Sequence, residues 1–109
     1  MSDIRLYVLQ RLTAALMVPL IAAHLVIIFY ASKELTAPEI LARTRGSLGW
    51  GLFYGLFVVL AATHGAIGVR GVCREWGRLD DRALDLVMWA FGLILLALGL
   101  RAVAAVVLP

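Results

Sequence analysis

The chain has 109 residues, of which 63% are hydrophobic and 16% are charged. Soluble globular domains are about 45–50% apolar and about 25% charged, so this composition argues against a soluble domain and also against disorder. The net charge of +3 comes from basic residues that mostly lie between apolar runs, which is typical of membrane topology rather than of nucleic-acid binding. The single cysteine, Cys73, excludes an internal disulfide and a zinc site built from several cysteines.

Three apolar runs are long enough to cross a bilayer, which takes roughly 20 helical residues. The first covers 12–32, the second 46–69 and the third 86–108. The third run contains Arg101, which we expect to extend to the nearer lipid headgroups or, alternatively, to face a partner helix. The sequence therefore predicts one all-α membrane domain over 1–109, with three transmembrane helices and no cleaved signal peptide.

Basic residues in the connections predict how the three spans are oriented. Six arginines precede span one or lie between spans two and three, namely Arg5, Arg11, Arg70, Arg74, Arg78 and Arg82. They outnumber the basic residues of the connection 33–45, so the N-terminus is expected to be cytoplasmic and the C-terminus to lie on the outer side. We expect 33–45 to be a short polar connection, Gly77 to be the C-cap of helix two, and Asp80 or Asp81 to cap helix three.

Two histidines lie within the apolar interior of the first two spans, His24 and His64. A histidine in hydrocarbon is costly, so it either marks a functional site or forms hydrogen bonds across helices. At 100° per residue, Gly68 and Gly71 share one helical stripe with His64. Such glycines let a neighbouring helix or a flat macrocycle approach closely. An imidazole beside them suits axial ligation of haem iron.

The two histidines are predicted to lie at different depths in the membrane. At 1.5 Å per residue, His64 is roughly 9 Å and His24 roughly 20 Å from the cytoplasmic end of its helix. The two ligands of one iron face each other at nearly equal depth, so these histidines are not expected to bind the same haem. Either they serve two haems that a partner chain completes, or only one of them is a ligand. A polar stripe on helix one also joins Gln10 and Thr13 to His24.

Two segments resemble the cytochrome b membrane-anchor subunits of succinate dehydrogenase and fumarate reductase. They are LQRLTA at 9–14 and HGAIGVR at 64–70, the latter followed by Glu75, eleven residues after the histidine. The resemblance covers the three-span layout with its cytoplasmic N-terminus. It implies a subunit of the cell (inner) membrane that binds haem b and quinone. It also implies a second hydrophobic anchor subunit, an iron–sulfur subunit and a flavoprotein subunit as partners, the helices of the two anchors forming a haem-binding bundle.

The same resemblance implies roles for particular residues. His64 becomes an axial haem ligand, and Arg11 and Thr13 match family positions near the quinone and the haem propionates. Glu75 and Trp76 occupy the place of an Asp-Tyr pair whose Tyr helps to bind quinone, so here the indole N–H of Trp76 would have to take that role.

His24 lies forty residues before His64, as in the two-haem members of the family. The preferred expectation is therefore a complex with two haems, in which this chain and the second anchor each supply one ligand per haem. Arg70, like Arg11, is always protonated and is a candidate for a haem propionate or a quinone oxygen. Gln10 is a further candidate for the quinone, and Gly68 for close contact with the haem.

The chain itself is not expected to oxidise succinate. It has no glycine-rich dinucleotide loop, and one cysteine cannot hold an iron–sulfur cluster. Its expected role is to anchor the soluble subunits through 70–85 and to pass respiratory electrons to or from quinone. Two alternatives stay open: a haem-free anchor whose histidines only form hydrogen bonds, and a small proton-coupled transporter. The lack of Asp and Glu within the first two spans disfavours the transporter.

Overall fold

The computed structural model describes residues 2–31, 34 and 36–109, most of which are helical, with no β-strand among them. The helices are α1 (Asp3–Val26), which continues as a π-helical turn (Ile27–Ala31), α2 (Ala37–Thr44), α3 (Leu48–Gly77) and α4 (Asp81–Val107). The prediction of an all-α membrane protein is confirmed. Three helices are long and apolar enough to cross a membrane: Asp3–Tyr30, Leu48–Gly77 and Asp81–Val107.

The helices extend beyond the apolar runs that predict them. α1 begins nine residues before the first run, and α3 continues eight residues beyond the end of the second. These extensions carry charged residues that form ion pairs at one end of the bundle. The predicted end of the first span at Ser32, like Lys33 in the following connection, lies outside the described residues.

Short polar side chains start the long helices. The hydroxyl of Ser47 accepts a hydrogen bond from the backbone N–H of Trp50 at the start of α3. At the start of α4, a carboxylate oxygen of Asp80 accepts one from the N–H of Ala83 at 2.8 Å. Each cap satisfies a backbone donor that has no partner within its own helix. The expectation that Asp80 or Asp81 caps this helix is confirmed, with Asp80 as the capping residue.

The end of α3 differs from the expectation for Gly77. Gly77 is the last helical residue, and Arg78 adopts the left-handed backbone conformation of the cap, with φ 52° and ψ 37°. The expectation that Gly77 is the C-cap is therefore wrong by one position. A left-handed conformation costs a non-glycine residue roughly 1–2 kcal/mol, which the short connection to α4 imposes here.

The expectation of a simple polar connection at 33–45 is also wrong, because its second half forms α2. Pro38 lies in the first turn of α2, where its missing N–H costs nothing. The hydroxyl of Thr44, which is fully buried, donates to the carbonyl of Val106 at 2.7 Å. The N–H of Gly46 donates to the carbonyl of Val107 at 2.6 Å. α2 therefore packs against the last turn of α4.

The buried apolar core of the chain is small and is centred on α3. Leu6 of α1, Ala66 and Ile67 of α3, and Met88 of α4 form the buried apolar cluster. Among the described residues of α1, only Leu6 and Thr13 are buried. Most large apolar side chains of the three long helices remain exposed, which is expected of surfaces that face lipid or another membrane subunit.

Candidate functional site

His64 faces α1, where its imidazole meets two groups of one helical turn. Its Nδ1 lies 3.2 Å from the backbone carbonyl oxygen of Gln10 and 3.4 Å from Oγ1 of Thr13. The Thr13 hydroxyl donates its proton to carbonyls of the preceding turn. Its Oγ1 lies 2.8 Å from the carbonyl oxygen of Leu9 and 3.0 Å from that of Gln10. We call His64, Thr13 and the Gln10 carbonyl the His64 cluster.

The partners of the His64 cluster fix which ring nitrogen carries the proton. A carbonyl oxygen only accepts hydrogen bonds, so Nδ1 of His64 donates to Gln10. In the neutral ring, Nε2 is then left with a free lone pair. A metal-bound histidine has this arrangement, with one nitrogen donating to a carbonyl and the other directed at the metal.

Gly68 and Gly71, on the same stripe as His64, have different surroundings. A methyl group on Gly68 would lie 3.3 Å from Nε2 of the Gln10 side chain, so Gly68 leaves room for the end of that side chain. A methyl group on Gly71 would meet no atom within 4 Å. Within this chain, Gly68 is covered by α1 and Gly71 is open.

His24 meets α3 through a tyrosine. Its Nδ1 lies 3.4 Å from the hydroxyl of Tyr54, and the two rings meet edge to face with centroids 5.6 Å apart. Tyr54 also stacks on Trp50, with ring centroids 5.7 Å apart. A tyrosine hydroxyl both donates and accepts, so this partner leaves open which nitrogen of His24 carries the proton.

A cavity of about 210 Å³ lies beside His24. Apart from His24 and the Tyr54 hydroxyl its lining is apolar, contributed by Leu20, Ile21, Leu25, Phe53 and Phe57. Sites that enclose a cofactor measure roughly 300–1,000 Å³, so the cavity is smaller than a complete site of this kind.

The structure does not bring the two histidines together. His24 contacts Tyr54, which lies ten residues before His64 on α3. At 1.5 Å per residue this separates the two levels by about 15 Å along the helix. The placement agrees with the depth argument that the histidines do not bind the same iron. Among the described residues, no three His, Cys, Asp or Glu side chains gather as a metal site.

Three predicted quinone contacts lie at the surface near one end of the bundle. Arg11 is exposed, with its guanidinium 5.8 Å from the centre of the Tyr7 ring. Glu75 is exposed, and 83% of Trp76 is accessible. Gln10 and Thr13 instead belong to the contact with α3. The predicted set is therefore divided between an open surface and a closed helix interface.

Arg70 lies in an ion-pair cluster at the same end. Only 5% of it is exposed, and its Nε donates to Asp85 at 3.0 Å. A second nitrogen of Arg70 lies 3.7 Å from a carboxylate oxygen of Asp3, which also pairs with Arg74 at 2.8 Å. We call these four residues the charged end. It ties the beginning of α1 to α3 and α4, and a buried arginine requires such partners.

Tyr54 and the acidic partners of Arg70 were missed by reasoning from the sequence. Tyr54 lies ten residues from His64 on α3. It reaches the depth of His24 because α1 and α3 pack antiparallel. Asp3 and Asp85 lie outside the apolar runs, where charged residues are usual. Arg101 is exposed on α4, six residues before its end at Val107, which fits either of the two expectations for it, lipid headgroups or a partner helix.

The chain was compared with known families, curated proteins and solved structures. The family model described as Succinate dehydrogenase/Fumarate reductase transmembrane subunit matches residues 2–105. The match includes α1, α3, α4 except for its last two residues, both histidines and the charged end. Neither the curated proteins nor the solved structures give a match.

Proposed function

The chain belongs to the transmembrane-subunit family of succinate dehydrogenase and fumarate reductase, and on this premise we propose that it is a cytochrome b anchor of succinate:quinone oxidoreductase. In this role it holds haem b and quinone in the membrane and passes electrons between the iron–sulfur subunit and the quinone pool. The oxidation of succinate itself is assigned to the soluble subunits. The cell (inner) membrane is the proposed location.

The environment of His64 is the observation that carries the haem assignment. Its Nδ1–H donates to the Gln10 carbonyl, which leaves the Nε2 lone pair for iron. Gly71 leaves open space on the same stripe, about two helical turns away. The residues present therefore fit an axial haem ligand.

Haem, when bound, supplies a one-electron carrier whose potential depends on its axial ligands and on their hydrogen bonds. His64 would provide one axial ligand. The described part of this chain offers no second histidine at its level, so the other ligand is assigned to the second anchor subunit. The exposed apolar faces of α1 and α3 are suited to pack with such a subunit.

We propose that His24 binds a second haem nearer the other face of the membrane. Its ring borders the cavity described above, and the Tyr54 hydroxyl contacts its Nδ1. If Nδ1–H donates to that hydroxyl, Nε2 of His24 is free for iron. The positions of His64 and His24, about 15 Å apart along α3, would then hold two electron-carrying haems in series across the bilayer.

The quinone site is assigned to the surface near the charged end. Trp76 offers an indole N–H, Arg11 offers charged donors, and Glu75 lies beside Trp76 on an exposed helical turn. Arg11 is also a candidate partner for a haem propionate. Arg70 already holds Asp85 and Asp3, so a propionate would have to share its guanidinium with these carboxylates.

The charged end is proposed to face the cytoplasm and to lie against the iron–sulfur subunit, which the flavoprotein subunit joins. This orientation follows from the six arginines that lie in the first turns of α1 or near the junction of α3 and α4. Exposed side chains of either sign at this junction provide a surface that a complementary partner can recognise.

A haem-free anchor is the second candidate, and one observation favours it. Both histidines already have a hydrogen-bonding partner across the α1–α3 interface, Gln10 and Thr13 for His64 and Tyr54 for His24. Such pairs stabilise helix contacts in membranes by about 0.6–2 kcal/mol without any cofactor.

The deciding experiment is a visible spectrum of the intact complex, purified in mild detergent and compared before and after dithionite reduction. Haem is quantified per copy of this chain in the parent protein and in His64→Ala and His24→Ala. Thr63→Ala serves as the matched control, because Thr63 adjoins His64 but its hydroxyl donates to the carbonyl of Val59 in its own helix.

We expect two haems per copy, one lost in each histidine variant and none in the control. One haem that depends on His64 alone would reduce the proposal to a single-haem anchor and make His24 structural. Retention of all haem in both variants would refute the assignment of either ligand. A complex without haem would establish the haem-free anchor.

A further inference from the structure

We propose that Thr13 is a positioning residue that acts through His64. Together with the Gln10 carbonyl, it holds the imidazole with its proton on Nδ1 and presents Nε2 as the ligating nitrogen. This inference rests on the proposed role of His64. It gives Thr13 a different task from the direct contact with quinone or propionate that the family resemblance implies.

The first argument is the direction of the Thr13 hydroxyl proton. A hydroxyl carries one proton, and here carbonyls of the preceding turn lie 2.8 and 3.0 Å from Oγ1. The oxygen therefore turns a lone pair toward Nδ1 of His64, 3.4 Å away. Nδ1–H is then shared between two acceptors, because the carbonyl cannot donate and the hydroxyl proton is directed at a carbonyl of its own helix. The protonated Nδ1 is the state that satisfies the whole cluster.

The second argument is burial. Thr13 is 3% exposed, whereas the neighbouring Arg11 is exposed. A ligand at the surface near the charged end can reach Arg11 without disturbing the helix interface. It would reach the hydroxyl of Thr13 only if α1 separated from α3. Thr13 is thus placed to act on His64 rather than on a ligand directly.

The third argument is the space left for Gln10 beside His64. Gly68 lies one turn after His64, and a methyl group there would come within 3.3 Å of the Gln10 side-chain amide. The absence of a side chain at Gly68 therefore leaves room for the Gln10 side chain against α3. The Gln10 carbonyl, 3.2 Å from Nδ1, and the Thr13 hydroxyl then contact the imidazole from one turn of α1.

The chemical consequence concerns the strength of the ligand. A ligating histidine whose other N–H donates to an acceptor is a more basic ligand, and loss of such a partner lowers metal affinity by 10–100-fold. A more basic ligand stabilises ferric iron more than ferrous iron. The His64 cluster should therefore lower the midpoint potential of the haem that it holds.

The test uses the intact complex with Thr13→Val, Thr13→Ser and the control Thr63→Val. Valine keeps the shape of threonine without its hydroxyl, and serine restores the hydroxyl. The potential of the His64 haem is measured by redox titration. The proton position on His64 is read separately by nitrogen-15 solid-state NMR, with labelled histidine in this chain and the complex assembled without haem.

We expect Thr13→Val to weaken ferric haem binding about tenfold, which raises the midpoint by about 59 mV if ferrous binding is unchanged. We also expect NMR to show a mixture of tautomers in this variant. Thr13→Ser and the control should match the parent in both measurements. An unchanged potential and tautomer in Thr13→Val would overturn the proposal, as would equal effects of valine and serine. If the parent binds no haem, the proposed function fails, and the NMR result alone decides whether Thr13 positions His64.

Discussion

The two interfaces of α3 are built in different ways. Toward α4, small residues allow close apolar packing: a methyl group on Gly99 would come within 2.5 Å of Val58, and one on Gly92 within 3.0 Å of Ala66. Toward α1, the notable contacts are polar and involve His64, His24 and the pairs of Asp3 with Arg70 and Arg74, while Arg70 also pairs with Asp85 of α4. Small residues hold membrane helices together through packing, whereas polar contacts select particular atoms and directions. The α3–α4 contact is therefore mainly apolar packing joined by one ion pair, and the α1–α3 interface holds the histidine contacts on which the proposed function rests.

Gly99→Ala should have the largest effect on stability. The added methyl overlaps Val58, so α3 and α4 must separate, at a cost of about 3 kcal/mol in the free energy of unfolding. Unfolding in increasing SDS, followed by circular dichroism, measures this loss. Gly55→Ala is the control because a methyl there meets nothing within 4 Å, and it should be neutral or stabilising by up to about 1 kcal/mol. Equal stability of the two variants would contradict the close packing of α4.

Asp85→Asn should have the next largest effect. Arg70 is buried and would lose its nearest charged partner, keeping Asp3 at the longer distance of 3.7 Å. We expect a loss of about 2 kcal/mol in the same unfolding measurement. Asp81→Asn, an exposed change in the first turn of α4, is the control and should cost less than about 1 kcal/mol. A cost no greater than that of the control would show that the charged end contributes little to folding.

Gly68→Ala should have a small effect on stability. The Gln10 side chain is flexible and can yield a few tenths of an ångström, so the free energy of unfolding should change by less than about 1 kcal/mol. The midpoint potential of the haem proposed at His64 should stay unchanged, because the Gln10 carbonyl keeps its place when only the side chain moves. Gly71→Ala provides the contrast in a redox titration and should shift the potential, because its methyl group enters the open space proposed for the haem. A shift in Gly68→Ala as large as in Gly71→Ala would contradict this difference between the two glycines.

Tyr54→Phe should have the smallest effect on stability. It removes one hydroxyl whose contact with His24 is 3.4 Å long, worth about 0.5–1 kcal/mol. The spectral band that disappears in His24→Ala should shift, while the band that depends on His64 should not. Trp50→Phe, which alters the neighbouring stack but not the hydroxyl, is the control. A shift in the His64 band would show that the two levels are coupled.

The sequence predicts the scaffold more completely than the polar contacts. Length and hydropathy identify three spans, and the helical count separates His24 from His64, because both depend on regular helix geometry. The left-handed Arg78 could not be foreseen, since the left-handed position depends on where α3 must turn toward α4. The same holds for α2, because the helical conformation of its eight residues depends on the contact of Thr44 with α4.

The polar partners could not be assigned because each depends on how the helices are rotated and offset. Arg70 is as compatible with a lipid headgroup or a propionate as with Asp85 until α3 and α4 are packed together. Likewise, Thr13 and Gln10 are polar residues on one stripe of α1. This pattern does not show whether His64 contacts their side chains or a backbone carbonyl. The acceptor of His64 is a backbone atom, which no residue pattern specifies.

The docking of α2 also has a consequence for the biogenesis of the chain. α2 is translated early, but the acceptors for Thr44 and Gly46 are carbonyls of Val106 and Val107, more than sixty residues further on. Those carbonyls have no helical partners of their own at the end of α4, and little water competes for them near a bilayer. The loop can therefore complete its hydrogen bonds only after α4 has left the ribosome and entered the membrane. The resistance of this α2 connection to protease during synthesis would therefore report the insertion of α4 into the membrane.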